Sequence, residues 1–389
     1  MSHSDIQVRE FSFQTPGYKR LLKKFIDFHW QHYKNDEQYV PLLDYEYLGF
    51  RLIDMTGFFE PRNLFFKHAE MAFFIAEKNG EMIGRCNAFV NHRYNEHWNE
   101  KTGFMGQYES INDPNVTTEL LNAAGNWLKQ KGMERMRGPQ NLPMNEATPG
   151  IMTEGFDTRS VIYYQWNKPW YQELMLKAGM EPVKRFMSWE APVTQSEKSR
   201  LERVSEKIIK RFPITFETWD QRPLKVRREE MYDIYNDAWN DNYNFVPFTR
   251  EEFYSIVEDM MLIIDKKLFL FVYVDGKPAA FFGGVPNANE VLKPIKGIER
   301  WELVRAAKLL LTKNKIKGFR LGYLGVKKEF RRMGLDGLML WKQHHYSKEA
   351  GYEYSDLGWV LEDNKAVFSL VGMVEAKLSK VYTIYEKAL

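Results

Sequence analysis

Phe319-Arg320-Leu321-Gly322-Tyr323-Leu324-Gly325-Val326 runs directly into Lys327-Lys328-Glu329-Phe330-Arg331-Arg332-Met333-Gly334-Leu335-Asp336-Gly337-Leu338. The first stretch is apolar and aromatic, which predicts a buried strand. After it, Leu338, Leu340, Trp341 and His345 recur at helical spacing, which predicts a helix to about Lys348. A basic turn joins the two. A helix N-terminus leaves backbone N–H groups without partners, and the helix dipole adds positive potential there. Such a junction is an anion site. Gly334 lets a phosphate approach the backbone, and Lys327, Lys328, Arg331 and Arg332 bring charge beside it. Strand, basic loop, glycine and helix together suit a pyrophosphate. The same residues would also serve as a solvated basic turn.

Outward from this stretch, the two halves of the chain repeat one order: strand, helix, hairpin, strand, helix, strand, helix, strand. The first half opens with an alternating strand from Ile6 to Phe13, and a helical pattern runs from Gly17 to about Tyr33. Ile214 to Trp219 and Val226 to Trp239 repeat that pair, and Thr249 caps a further helix. Each half has a hairpin, turning at Asn79-Gly80 and at Asp275-Gly276. Val40-Pro41 and Val246-Pro247 occupy matching places, as do Asn167-Lys168 and Asn364-Lys365. This predicts a tandem duplication. The expected boundaries are 1–193 for the first domain, 194–213 for a charged helical connector and 214–389 for the second domain.

The chain has 389 residues, two or three domains at ~150 residues each. Its net charge of +3 is too small for the strongly basic surface that nucleic acid demands. One cysteine, Cys86, excludes an internal disulfide and any paired-cysteine metal site. The opening residues lack a signal-peptide core, and no apolar run approaches the ~20 residues of a membrane span. These features predict a cytoplasmic protein with no membrane, metal or nucleic-acid partner. Oligomeric state is open.

At the loop, the sequence resembles the GCN5-related N-acetyltransferase (GNAT) superfamily. That family's phosphate loop is Gln or Arg, two residues, Gly, one residue, then Gly or Ala. Arg331-Arg332-Met333-Gly334-Leu335-Asp336 matches it except at Asp336. Strand residues Tyr323 to Val326 before the loop, a strand at Tyr354 to Leu361, the helix opening at Asn364 and a last strand at Val381 to Glu386 match the family's order. Asn244 to Phe248, Gly358 to Asn364 and Tyr382 to Lys387 are similar to a group of little-characterised bacterial tandem GNAT proteins.

The resemblance implies an α/β (α+β) fold of two tandem GNAT-like domains, each a mixed, mostly antiparallel sheet flanked by helices. It implies an N-acetyltransferase using acetyl-CoA, or another acyl-CoA, as co-substrate and a small-molecule or peptide amine as acceptor. CoA would be held by Leu324, Gly325, Val326, Arg331, Arg332, Met333, Gly334, Leu335, Asp336, Gly337, Asn364 and Phe368. The first copy resembles the family only in topology. Its strand Gly103 to Ile111 leads into Asn112-Asp113-Pro114-Asn115, with no arginine and no glycine.

The implied reaction needs a base for the amine, a donor to the thioester oxygen and an acid for the departing thiolate. Backbone N–H at Leu324 or Val326 is the candidate donor. Glu362 is the candidate base, or else a surface carboxylate capping a helix. The family's usual acid is a tyrosine on the last helix, where Phe368 is the only aromatic. Tyr323, Tyr382 and Tyr385 are possible substitutes. Asp356 reads as a buried structural acid. Adjacent His344 and His345 point to different helix faces and do not make a metal site. His92 and His97 read as loop surface. Gly138 to Asn145 has the punctuation of a long loop, which with Tyr163 to Trp166 could wall an acceptor site. Two alternatives stand beside transfer to an amine: a non-catalytic acyl-CoA sensor, and an aminoacyl transferase of the Fem type.

Overall fold

The computed structural model describes residues 5–193, 200–261, 264–295 and 300–389. The first six residues of the expected connector therefore lie outside the described residues. Along the chain the elements are β1 (Gln7–Phe11), α1 (Tyr18–His32), α2 (Asp44–Leu48), β2 (Ala69–Lys78), β3 (Glu81–Asn91), α3 (His92–Trp98), β4 (Thr102–Ser110) and α4 (Pro114–Gln130). They continue with β5 (Arg135–Gly138), β6 (Ile151–Glu154), α5 (Tyr171–Lys177), β7 (Glu181–Pro192), α6 (Arg200–Arg211), β8 (Ile214–Thr218), α7 (Leu224–Trp239) and α8 (Arg250–Met260). The remainder is β9 (Phe269–Val274), β10 (Lys277–Pro286), α9 (Asn289–Leu292), α10 (Glu302–Thr312), β11 (Gly318–Val326), α11 (Leu335–Glu349), β12 (Tyr354–Asp356), β13 (Val360–Leu361), α12 (Lys365–Val371) and β14 (Lys377–Ala388).

Two compact units form. The first comprises 1–186, 293–306 and 380–389, and the second 187–292 and 307–379. In the first unit the sheet order is β1-β2-β3-β4-β5-β14, antiparallel except for the parallel pair β4–β5. In the second it is β8-β9-β10-β11-β12, also antiparallel except for the parallel pair β11–β12, and residues 190–192 of β7 close it beside β12. The two units repeat one plan. Each takes its closing strand from the opposite half of the sequence, so sequence halves and compact units do not coincide.

Both sheets are buried on two faces. In the first unit α4 lays Val116, Leu120, Leu121, Ala124 and Leu128 against Phe74, Ala88 and Met105. Phe11, Phe25, Phe59 and Phe73 interlock elsewhere in that unit. In the second unit α11 buries Leu335, Leu338 and Met339 with Leu270, Val272, Ala280 and Phe282. α7 places Ile234 and Tyr235 with Phe269, Phe271 and Phe281, which alternate with the first set along β9 and β10. Each fully buried side chain of this size contributes about 1.5–3 kcal/mol.

Three local expectations change. His92 and His97 lie on the short helix α3, started by the Asn91 side chain accepting from Tyr94 N, rather than on a loop. The strand expected over Tyr354 to Leu361 is broken into β12 and β13, with Gly358 between them in the left-handed region at φ 46°. The Ile6–Phe13 strand is shorter, ending at Phe11. Among the described residues no helix is long and apolar enough to cross a membrane.

Candidate active site

The second unit builds its site where β11 parts from its neighbour. β11 pairs with β12 only through Gly318–Tyr354, Phe319–Ser355 and Arg320–Asp356. Beyond Arg320 the described pairing with β12 stops, while β10 continues along the other edge to Val326. At the parting point the register with β10 slips: Tyr323 faces Gly283 but Leu321 faces Gly284. Gly322 is thus an extra residue, a bulge that turns the strand. A β-carbon there would meet nothing within 4 Å. An open strand edge presents N–H and C=O groups to an extended partner, the way a peptide adds to a sheet. Leu324 and Val326 stand on this stretch, opposite Phe282 and Ala280.

The strand then enters the basic loop. Lys328 N donates to Asp237 Oδ2 at 2.6 Å, Lys328 Nζ pairs with Asp241 at 2.8 Å and Arg331 donates to Ala238 O at 2.9 Å. These bonds fasten the loop to the end of α7. Arg332 and Gly334 both take left-handed backbone, at φ 72° and 76°. Gly334 is the N-cap of α11 and supplies no side chain to cap it. The amides of the first helical turn therefore have no intrahelical acceptor. Arg331 and Arg332 are exposed beside them. Asp336 is the second helical residue and sits in the first turn, where a carboxylate is favoured by the dipole. Met333, Leu335 and Leu338 anchor the turn in the core, and Gly337 is buried near Leu201 and Leu370.

The other expected residues fall as follows. Asn364 is the N-cap of α12, its side chain accepting from Val367 N at 3.2 Å. Phe368 stands edge-on to Trp189 at 5.0 Å. Glu362 is exposed, just after β13. Tyr323 is partly buried in the aromatic cluster with Tyr235 and Phe281, its hydroxyl donating to Met260 Sδ at 3.4 Å. Tyr382 belongs to the first unit, fully buried, with its hydroxyl donating to Gln165 O at 2.9 Å. The loop, the strand edge, Tyr323, Glu362, Asn364 and Phe368 thus all lie in the second unit, whereas Tyr382 lies in the first. Asp356 is buried as expected, accepting from Ser188 Oγ at 3.2 Å. Sequence reasoning passed over Gly322, although a glycine inside a strand pattern is itself the signal of a bulge.

The first unit shows the contrasting state of the same cleft. Its parallel pair also stops after three residues, at Phe104–Arg137. There the edge of β4 is covered by the chain's own Gly138–Asn145 loop. Gln140 N donates to Met105 O at 2.7 Å, and Gln107 N donates to Asn141 Oδ1 at 2.7 Å. A β-carbon on Gly106 would lie 2.0 Å from Gln140 O. Gln107 takes a left-handed φ of 48° at this contact. Farther along β4, Glu109 is buried and accepts from Tyr33 at 2.6 Å and from Tyr171 at 2.5 Å. Burial raises the Glu109 pKa against the pull of Arg85. Among the described residues no cluster of three or more His, Cys, Asp or Glu side chains is arranged to hold a metal.

The fold is similar to that of a solved tandem GNAT protein from the clavulanic acid biosynthesis pathway. That structure overlays 98% of this chain on 98% of its own at a TM-score of 0.55, with 8% identity. The chain has the tandem GNAT fold. A GCN5-related glucosamine N-acetyltransferase region in a fungal multi-domain beta-N-acetylglucosaminidase overlays 98% of this chain, on 38% of that one, also at a TM-score of 0.55 and with 12% identity. No family model matches the sequence. The chain is 29% identical over 337 residues to the bacterial ceramide synthase of Caulobacter vibrioides, covering 84% of this chain and 86% of that protein. It is 26% identical over 381 residues to protein YghO of Escherichia coli, covering 95% and 94%.

Proposed function

We propose that the protein is an acyl-CoA-dependent N-acyltransferase whose second unit holds the thioester. One observation carries this reading: the edge of β11 from Gly322 to Val326, which no described strand pairs with on the β12 side, runs straight into a glycine-capped helix N-terminus flanked by Arg331 and Arg332. An arm bearing amide groups suits the edge, and its pyrophosphate suits the helix end. In the first unit Gln140 and Asn141 already occupy the equivalent edge, which supports a single CoA site. CoA supplies an activated acyl carbon; the protein positions it. The amine nitrogen bonds to the thioester carbon, the C–S bond breaks, the amine gives up a proton and the CoA thiolate takes one up. Backbone N–H at Leu324 or Val326, close to the Gly322 bulge, is the candidate donor to the oxyanion. Glu362 is the candidate base and Tyr323 the candidate acid.

The acceptor class comes from the relatives. A ceramide is the N-acyl derivative of a long-chain amino alcohol, so likeness to a ceramide synthase supports a lipid amine as acceptor. Calorimetry with CoA tests the binding claim: wild type binds saturably, and Arg332→Glu weakens binding at least about tenfold, with the affinity of wild type falling as salt rises. Thiol release from acyl-CoA across a panel of short and long-chain amines tests the transfer. CoA binding without thiol release for any amine would favour a non-catalytic acyl-CoA-binding protein.

A further inference from the structure

A cavity of about 480 Å³ lies within the second unit, beneath the C-terminal part of α11. That size falls in the ~300–1,000 Å³ range of small-molecule sites. Its walls include Phe282, Phe319, Leu321, Leu340 and Leu357. Gln343 also lines it, only 2% exposed, and neither its Nε2 nor its Oε1 has a partner. The indole N–H of Trp341, another wall residue, is likewise buried and unpaired. Buried amides are ordinarily hydrogen-bonded, and leaving one unmade is unfavourable. Glu202, His344, His345, Lys348 and Glu375 also line it, so the cavity has a polar part and an apolar part. The apolar part, with an unpaired amide inside, is complementary to a hydrocarbon chain that carries an oxygen.

Its position says which chain. From Val326 back to Gly322 the edge of β11 that no described strand pairs with is five residues long, about 13 Å from end to end at ~3.3 Å per residue. An arm leaving the Gly334 loop along this edge arrives at Gly322, and Leu321, the next residue, is a wall of the cavity. Along α11 the same direction leads from Gly334 to Leu340 and Gln343, about 9–14 Å at ~1.5 Å per residue. We propose that this cavity receives the acyl chain of a long-chain, hydroxylated acyl-CoA, with the Gln343 amide hydrogen-bonding the chain's hydroxyl. The inference rests on the second unit being the CoA site. It replaces an acetyl group by a long chain, which burial of its methylenes and the bond to its hydroxyl together select.

Calorimetry on the full chain separates the two claims. CoA, acetyl-CoA, palmitoyl-CoA and 2- and 3-hydroxypalmitoyl-CoA are titrated below their micellar concentrations. The expected order is palmitoyl-CoA at least about tenfold tighter than CoA, since burial of a few methylenes suffices. At least one hydroxylated chain binds threefold or more tighter again. Leu340→Trp, which fills the cavity, brings palmitoyl-CoA down to the affinity of CoA and leaves CoA unchanged, so CoA affinity reports that the variant is folded. Gln343→Leu abolishes the preference for the hydroxylated chain. No CoA binding at all overturns the site reading itself. Normal CoA binding with no gain from the chain, or no gain from its hydroxyl, overturns the cavity assignment alone. So does hexadecylamine displacing palmitoyl-CoA but not CoA, which would give the cavity to the acceptor.

Discussion

Ile208 of α6 rests on Gly334: a β-carbon built at the glycine would come within 2.8 Å of Ile208 Cδ1. The glycine that ends the basic loop and starts α11 is therefore also where α6 seats. Two costs meet in Gly334→Ala, the left-handed φ of 76° and the contact with Ile208. Loss of about 1–2 kcal/mol is expected from the backbone alone. Pairing it with Ile208→Ala should recover only the steric part, measured by urea unfolding. Full recovery in the double variant would mean that the backbone conformation costs nothing.

Gly322 should separate stability from transfer. Because a β-carbon there meets open space, Gly322→Val is expected to shift the melting temperature by little. The methyls would instead occupy the place proposed for the thioester. CoA affinity should stay within a factor of about three while thiol release with any productive amine falls at least about a hundredfold, a loss near 2.7 kcal/mol of transition-state stabilisation. An active Gly322→Val enzyme would move the reaction away from the bulge.

Asn141 is expected to matter for the first unit only. Its Oδ1 accepts from Gln107 N, a buried donor on a left-handed residue. Asn141→Ala leaves that N–H unpaired, for a loss of about 1–3 kcal/mol. CoA binding by the second unit should be unchanged. Should the substitution instead create a second CoA site, calorimetric stoichiometry would rise toward two.

His32 gives the first unit an acid-sensitive contact. Its side chain is 5% exposed, with Nε2 2.7 Å from the Tyr171 hydroxyl. Burial, with Lys168 and Arg85 nearby, lowers its pKa from 6.5 to about 3. The folded state thus keeps the ring neutral while the unfolded chain takes up a proton below pH 6.5. The stabilisation is complete above pH 6.5 and is lost progressively as pH falls toward 3. His32→Gln should flatten this limb of the urea midpoint against pH; an unchanged slope would exclude His32 as its source.

Much of the second unit was legible because its signals are local. The basic loop, Gly334 and the flanking strand and helix follow one another within twenty residues, so pattern alone places them. The duplication was legible because hairpin turns and Asn-Lys pairs recur in the same order, although only Asn364 caps a helix: α5 begins at Tyr171, and Asn167 instead bonds Met152. Long-range facts were hidden. Nothing local tells that Tyr382 buries its hydroxyl on Gln165, or that Gln140 and Asn141 lie along β4. Gln343 carried no signal either, because a glutamine on a helix reads as surface until the roof and floor of the cavity are known.

The crossed closing strands bear on how the protein is made. Tyr385 pairs with Gly138, about 250 residues earlier in the chain. During synthesis the first sheet must wait, its β5 edge unpaired, until β14 has left the ribosome. Meanwhile residues 190–192 are ready to join a sheet whose other strands have not yet been translated. Such distant pairings slow folding, and an exposed strand edge invites mispairing in the interval. Each compact unit draws on both sequence halves, so severing the chain near residue 193 is expected to yield two fragments that fold only when they meet.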